Sequence, residues 1–343
     1  MARPVKHIQL HRIGPTELRV ISDVDEGVLA IVQQEEAVIR AYMAHGPWPH
    51  RHVSLYVLKD LQPLVRQLKG GALPAGGAEA LDTRTIVNMF DLADQSACHI
   101  FVNQQAMVQA DYWDDTLAIC GLLAHEHAHP LAENSTTRAS RSLAVRLTLE
   151  RNAGITPEQQ GRLEHLLTLL IAQLCLYAPR EIFTNELAIT SGFAQAMLHL
   201  NRRNVANACQ SVVGRTRLRE VLTQEVAAGG RPVEAVGQLL LAGDMESHLP
   251  LALEVAPFVR AGRHTEAHEL EAVLGGVLFP QLEPQTAPAY TAIRHLYTDL
   301  SADLSSVALR AWGQLVADIV RAALHERGVA VRCMIRQTTD SST

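Results

Sequence analysis

The chain has 343 residues, with 30 Lys and Arg against 36 Asp and Glu, a net charge of −6, 48% hydrophobic and 19% charged residues. That balance is globular rather than disordered and long enough for one large domain or two; with no dense basic stripe, it speaks against a nucleic-acid partner. Aromatic residues are only 4%, so the core must be built mainly from Leu, Val, Ile and Ala, which favours helices. The five cysteines (Cys98, Cys120, Cys175, Cys209 and Cys333) are far apart and form no CxxC pair. Their odd number reads as reduced thiols in a cytoplasmic protein, and a cysteine zinc site is not expected. The start, Met1 to His7, has no apolar run of the signal-peptide kind. The most apolar stretch, Leu166 to Ala178, spans about 13 residues and contains Gln173. It is too short for a membrane span and reads as a buried helix.

In chain order, residues 5–10 and 17–22 read as short strands around the turn Gly14-Pro15. Asp23 or Asp25 can cap a helix running to about His45, with Val28, Ile31, Val32, Val38 and Ile39 on its apolar face. The cluster Gly46 to Arg51 is a loop, and 52–58 a strand leading into a short helix that ends near Gly70-Gly71. Residues 70–82, rich in Gly, Ala and Pro, are expected to be a flexible loop. Residues 85–90 and 99–103 read as paired strands just ahead of a helix that Asp114 can cap, with Leu117, Cys120 and Leu123 at helical spacing. A loop over 132–138 and a helix over 139–151 are expected next. Thr156-Pro157-Glu158-Gln159 is a capping box with Pro at the first helical position, opening an apolar helix that ends near Tyr177. Another helix starts at Pro179. Beyond 203 only helices are expected, over roughly 204–228, 232–242, 247–260, 264–276 and 287–326.

The chemistry concentrates in His125-Glu126-His127-Ala128-His129. Residues four apart share a helix face, so His125 and His129 can reach one Zn²⁺ while Glu126 sits beside the open coordination position as a general base. His127 points elsewhere on the helix and is not counted as a ligand. Pro130 has no N–H and should kink or stop the helix just after His129. A catalytic zinc needs a third protein ligand. The metzincin spacing would require Gly at 132 and His at 135, where this chain has Ala132 and Ser135, and that class is excluded. The better source is the helix after Pro179. There Glu181 and Asn185 share a face, so one can bind metal while the other steadies a ligand imidazole. Glu186, about 100° further round, is the competitor.

Together the HExxH and Glu181-Ile-Phe-Thr-Asn-Glu-Leu-Ala188 resemble the gluzincin metallopeptidases, and the ExxxN form is most similar to the ImmA/IrrE-like or "minigluzincin" branch. The resemblance implies His125, His129 and Glu181 as zinc ligands, Glu126 as base and Asn185 as the residue supporting them. The pattern departs from that family in His127 and Ala128, in Pro130, in Thr184 where Ala is usual, and in the spacing of 52 positions from His129 to Glu181. The expected fold is α+β and predominantly α-helical. A small antiparallel sheet would pack on the HExxH helix in a zincin-like domain over 1–203, followed by a helical domain over 204–335 and a frayed tail over 336–343. The expected activity is hydrolysis of a peptide or protein substrate, with Tyr177, Arg180 and His199 as candidate donors to the oxyanion and a possible protein partner for the C-terminal helices. A helical interaction or regulatory protein on a zincin-like scaffold, and a zinc hydrolase acting on a non-peptide bond, are the competing readings.

Overall fold

The computed structural model describes residues 7–61, 84–150 and 156–338. The helix expected to end near Gly70 and the loop expected over 70–82 lie outside the described residues. The chain is α+β and predominantly helical, and it divides into two compact units that interleave in sequence. One comprises residues 1–132 and 187–200, the other 133–186 and 201–343. The sequence reading draws its boundary at 203 instead, because a returning segment such as 187–200 leaves no mark in composition.

The first unit is built on a five-stranded sheet. Strands β1 (His7–Ile13) and β2 (Thr16–Ser22) form a hairpin through Gly14. Helix α1 (Val28–His45) then carries the chain to β3 (His52–Leu58), and β4 (Ile86–Phe90) and β5 (Ala97–Asn103) complete the order β1-β2-β3-β5-β4. The sheet is mixed rather than antiparallel throughout. Both hairpins are antiparallel, but β2–β3 and β3–β5 pair in parallel. The crossover through α1 brings β3 in alongside β2 in the same direction, which a hairpin cannot do. Alternate residues of the central strands (Leu18, Val20, Val53, Leu55, Val57, Ile100 and Val102) are fully buried, the period-two signature of a strand facing a core. Neither Asp23 nor Asp25 caps α1. Asp23 accepts the Lys59 amide at 2.8 Å and Asp25 pairs with the Lys59 ammonium at 3.1 Å, while Gly27 precedes the helix in a left-handed conformation.

A short helix α2 (Gln104–Gln109) links β5 to the HExxH helix α3 (Thr116–Leu131). Residues 132–138 are not simply a loop, because α4 (Ser135–Ser140) starts there, capped reciprocally by Asn134 and Thr137. The helix expected over 139–151 is instead β6 (Leu143–Leu149), paired antiparallel with β7 (Val331–Gln337). The partner strand lies at the other end of the chain, so local propensity had nothing to pair β6 with. The same pairing overturns the frayed tail at 336–337, since Arg336 and Gln337 belong to β7 and the Thr338 amide reaches Ser142 O at 2.7 Å.

The expected capping box at Thr156 and Gln159 opens α5 (Pro157–Ala172), which continues through a π-turn at 173–177 into α6 (Ala178–Ala188). Over 189–193 the helix breaks at Gly192, whose φ of 103° lies in the left-handed region that favours glycine, and the chain turns into α7 (Ala194–Ala227). Then come α8 (Val233–His248), α9 (Ala252–Arg260), α10 (His264–Val273), α11 (Thr286–Thr298) and α12 (Ser306–Glu326). The stretch 157–227 contains an 18-residue window of mean hydropathy 1.4, long and apolar enough to cross a membrane by composition alone, and half of that window is buried within the protein.

The second unit is tied by a buried ion network. Arg215 on α7 holds both oxygens of Asp244 on α8, at 2.6 and 2.9 Å. It also reaches Glu283 at 3.1 Å, which accepts from Arg219 at 3.0 Å and from Arg327. The Glu283 amide closes the ring on Asp244 at 2.7 Å. Each buried carboxylate therefore meets several donors, which is what burying charge requires. Replacing Asp244 by Ala takes both of its hydrogen bonds from the buried Arg215 guanidinium and leaves it Glu283 alone within this network. The expected cost is about 3–5 kcal/mol, read as a lower urea midpoint at unchanged slope.

Candidate metal centre

Helix α3 is fixed at both ends. Asp115, one residue beyond the expected Asp114, is its cap: Oδ1 accepts the Ala118 amide at 3.0 Å while Oδ2 pairs with His199 Nε2 at 2.6 Å. Its buried face runs through Ala118, Ile119, Leu123 and Ala124; Leu117, expected on the apolar face, is exposed. Two glycines permit the packing. A Cβ on Gly121 would sit 2.6 Å from Leu200 Cδ1 and 3.0 Å from Ala196 O, and one on Gly27 would lie 2.7 Å from the Trp113 ring.

Pro130 does not end α3, which runs on to Leu131. What it removes is the N–H that the Glu126 carbonyl would receive four residues on. That carbonyl accepts Asn88 Nδ2 at 3.0 Å instead, and the Asn88 amide donates to Glu126 Oε2 at 2.8 Å. One residue of β4, an edge strand of the sheet, thus repairs the helix and orients its carboxylate. A proline this near a helix end leaves only one or two bonds to replace, and here a side chain replaces one.

His125 is half-buried, and Glu126 and His129 are buried. One ligand atom from each of the three lies within 4.8 Å of the others, and the two imidazoles stand edge to face with centroids 4.6 Å apart. At Zn–N distances of about 2.0–2.1 Å, two tetrahedral nitrogens are separated by about 3.4 Å, so small side-chain rotations suffice. The donor set fits zinc.

Glu181 and Asn185 lie one turn apart on α6, in the second unit; Glu181 is half-buried and Asn185 buried. Glu186 binds Arg260 Nε at 2.7 Å, and that guanidinium also covers the Phe183 ring. Of the expected oxyanion donors, His199 is engaged by Asp115, and Tyr177 lies in the π-turn at 173–177 with most of its surface exposed. Arg180 stands beside Glu181 on α6. Such π-turns cluster at functional sites, and the helix bearing Glu181 and Asn185 follows one directly.

Sequence reasoning missed Asn88 and a polar group inside the first unit. His127 is completely buried with its Nε2 2.8 Å from Glu35 Oε1. Burial opposes a charge on this imidazole, but the Glu35 carboxylate and the neighbouring Cys98 outweigh it and raise the His127 pKa to about 10. His50, beside it, is lowered to about 4 by burial and by His127. Burial raises the Cys98 thiol despite the opposing pull of His127. The available signal was a Glu at position 35 on the buried side of an amphipathic helix, which demands a partner.

Neither family models, nor characterised proteins, nor solved structures yield a match to this chain. The reading of the site therefore rests on its own geometry.

The Asn88 contact makes a double-mutant prediction. Asn88→Ala removes the side-chain hydrogen bond on the Glu126 carbonyl and is expected to cost about 1–3 kcal/mol. Pro130→Ala restores the missing N–H, so combined with Asn88→Ala it should recover part of that loss, a positive coupling measurable by urea denaturation of all four proteins. Strict additivity would mean that the proline and the asparagine do not compensate each other. Gly121→Val should cost about 1–3 kcal/mol through forced displacement of Leu200 and the Ala196 backbone.

Proposed function

We propose that the chain is a zinc-dependent metallopeptidase of the gluzincin type, with His125, His129 and Glu181 as ligands, Glu126 as general base and Asn185 supporting the ligands. The observation that carries this reading is Glu126. It sits between two histidines placed to share a metal and is held in orientation from the neighbouring edge strand. A bound zinc supplies a polarised carbonyl and a water acidic near neutral pH. Glu126 then takes the proton of the attacking water at a carboxylate oxygen and passes it to the departing amine. Strand β4 lies at one edge of the sheet beside α3, and an edge strand is where an extended peptide can align by strand addition. The Arg260 ion pair on Glu186 supports Glu181 as the third ligand, since it commits the competing carboxylate elsewhere. Five free thiols suit a reducing, cytoplasmic setting.

One observation favours the second reading, a regulatory protein on this scaffold: Glu126 is buried and already accepts a hydrogen bond, so the motif also has a structural use. Glu126→Gln separates the two, because an amide oxygen still accepts the Asn88 N–H but cannot take a proton. Metal content and melting temperature should be unchanged, while hydrolysis of a quenched-fluorescent peptide library falls by at least about a thousandfold, or 4 kcal/mol of barrier. Turnover retained in that variant rules out the assigned base. Metal analysis should also show Glu181→Ala losing the ion and Glu186→Ala keeping it, and the reverse pattern would reassign the third ligand.

A further inference from the structure

We propose a second metal site, built from His50, Cys98 and His127 inside the first unit, that takes a thiophilic d¹⁰ ion, copper(I) or zinc(II). The three residues come from the loop before β3, from β5 and from α3, and all are buried. One nitrogen of each ring and the Cys98 sulfur lie within 4.8 Å of one another.

The hydrogen bonds decide which nitrogens face the centre. His50 Nδ1 is 2.5 Å from Gln95 O. A carbonyl only accepts, so Nδ1 carries the proton and Nε2 presents a lone pair. His127 Nε2 is engaged by the Glu35 carboxylate, which leaves Nδ1. His50 Nε2 is buried without a hydrogen-bond partner among the described residues, and His127 Nδ1 faces the Cys98 thiol, its hydrogen-bonding neighbour. An orphaned buried ring nitrogen is costly, and a metal ion would satisfy it while drawing His127 Nδ1 and the Cys98 sulfur to the same centre. The outer partners have the form expected of metal-bound histidines, one backbone carbonyl and one carboxylate on the far ring nitrogens.

The ligand set narrows the ion. A thiolate with two imidazoles selects soft or borderline metals over magnesium or calcium. Glu35 sits behind His127, so it holds the ligand and leaves the coordination number at three, which copper(I) accepts; zinc(II) would need a fourth donor. Trp48 closes the site, its ring 4.8 Å from His50 and 5.4 Å from His127. Binding displaces the Cys98 thiol proton, and the Nδ1 proton of His127 where the ring is charged, both to solvent. Three ligands drawn from distant elements escape the CxxC spacing on which the expectation against a cysteine site rested. The proposal is independent of the HExxH reading, because no residue is shared.

The test uses the full chain produced in medium supplemented with copper, zinc or cobalt, and separately refolded with each. Metal content per chain should drop by about one ion in Cys98→Ala and be unaffected at this site in His129→Ala. Cobalt-loaded wild-type protein should show a thiolate-to-cobalt charge-transfer band that Cys98→Ala abolishes and His129→Ala leaves intact. The identity of the retained ion distinguishes copper from zinc. If Cys98→Ala fails to fold, His50→Gln, which keeps a polar group beside Gln95, should lose the same ion. Correctly folded wild-type protein with no thiolate band by either route, and no ion dependent on Cys98 or His50, overturns the site and leaves a buried ion pair beside a core thiol.

Discussion

A proline in the last turn of a helix takes the N–H from the carbonyl four residues before it, and in this protein that carbonyl belongs to Glu126. The Asn88 side chain supplies the missing hydrogen, while the Asn88 backbone supplies a second to the Glu126 carboxylate. Strand β4 and helix α3 are therefore joined by polar contacts that fix a register along the strand as well as a distance. Hydrophobic burial is non-directional and would tolerate sliding; two hydrogen bonds from one residue do not. The role assigned to Glu126 depends on this join, because it sets which way that carboxylate faces.

The same helix turns two kinds of chemistry to two sides. His125 and His129 share one face, and His127, about 200° round from either neighbour in the motif's geometry, enters the interior and meets Glu35 at 2.8 Å. Burying an imidazole and a carboxylate together is an expensive way to hold α1 against α3, when a leucine pair would serve at lower desolvation cost. Its use is better understood with His50 and Cys98 included. The group then has a defined centre, fixed outer partners and an unpartnered ring nitrogen on His50.

The second unit keeps its charge in a different arrangement. Asp244 and Glu283 are surrounded by Arg215, Arg219 and Arg327, with main-chain help from the Glu283 amide. The network joins α7, α8, the segment before α11 and the end of α12, which are far apart in sequence. Salt bridges of this kind need precise mutual placement to offset their desolvation, so they specify one packing of otherwise interchangeable apolar helices.

The sequence alone determined the elements whose signals are local. The Thr156 capping box, the helix period of α1 and the strand alternation of β3 were all legible, because each depends on residues within one or two turns of each other. The helical pairing of His125 with His129, and hence the candidate metal, was legible for the same reason. Tertiary structure decided whatever needed a distant partner. Segment 143–149 becomes a strand because 331–337 lies beside it, and 336–337 is ordered for the same reason. The sheet is mixed because α1 returns β3 parallel to β2. Asn88 gains its role only because a proline 42 positions later leaves a carbonyl open. Likewise, Glu35, His50, Cys98 and His127 converge from separate elements with no spacing rule to announce them. Hydrogen-bond demand and burial are properties of neighbourhoods in space, and the chain fixes those neighbourhoods only by folding.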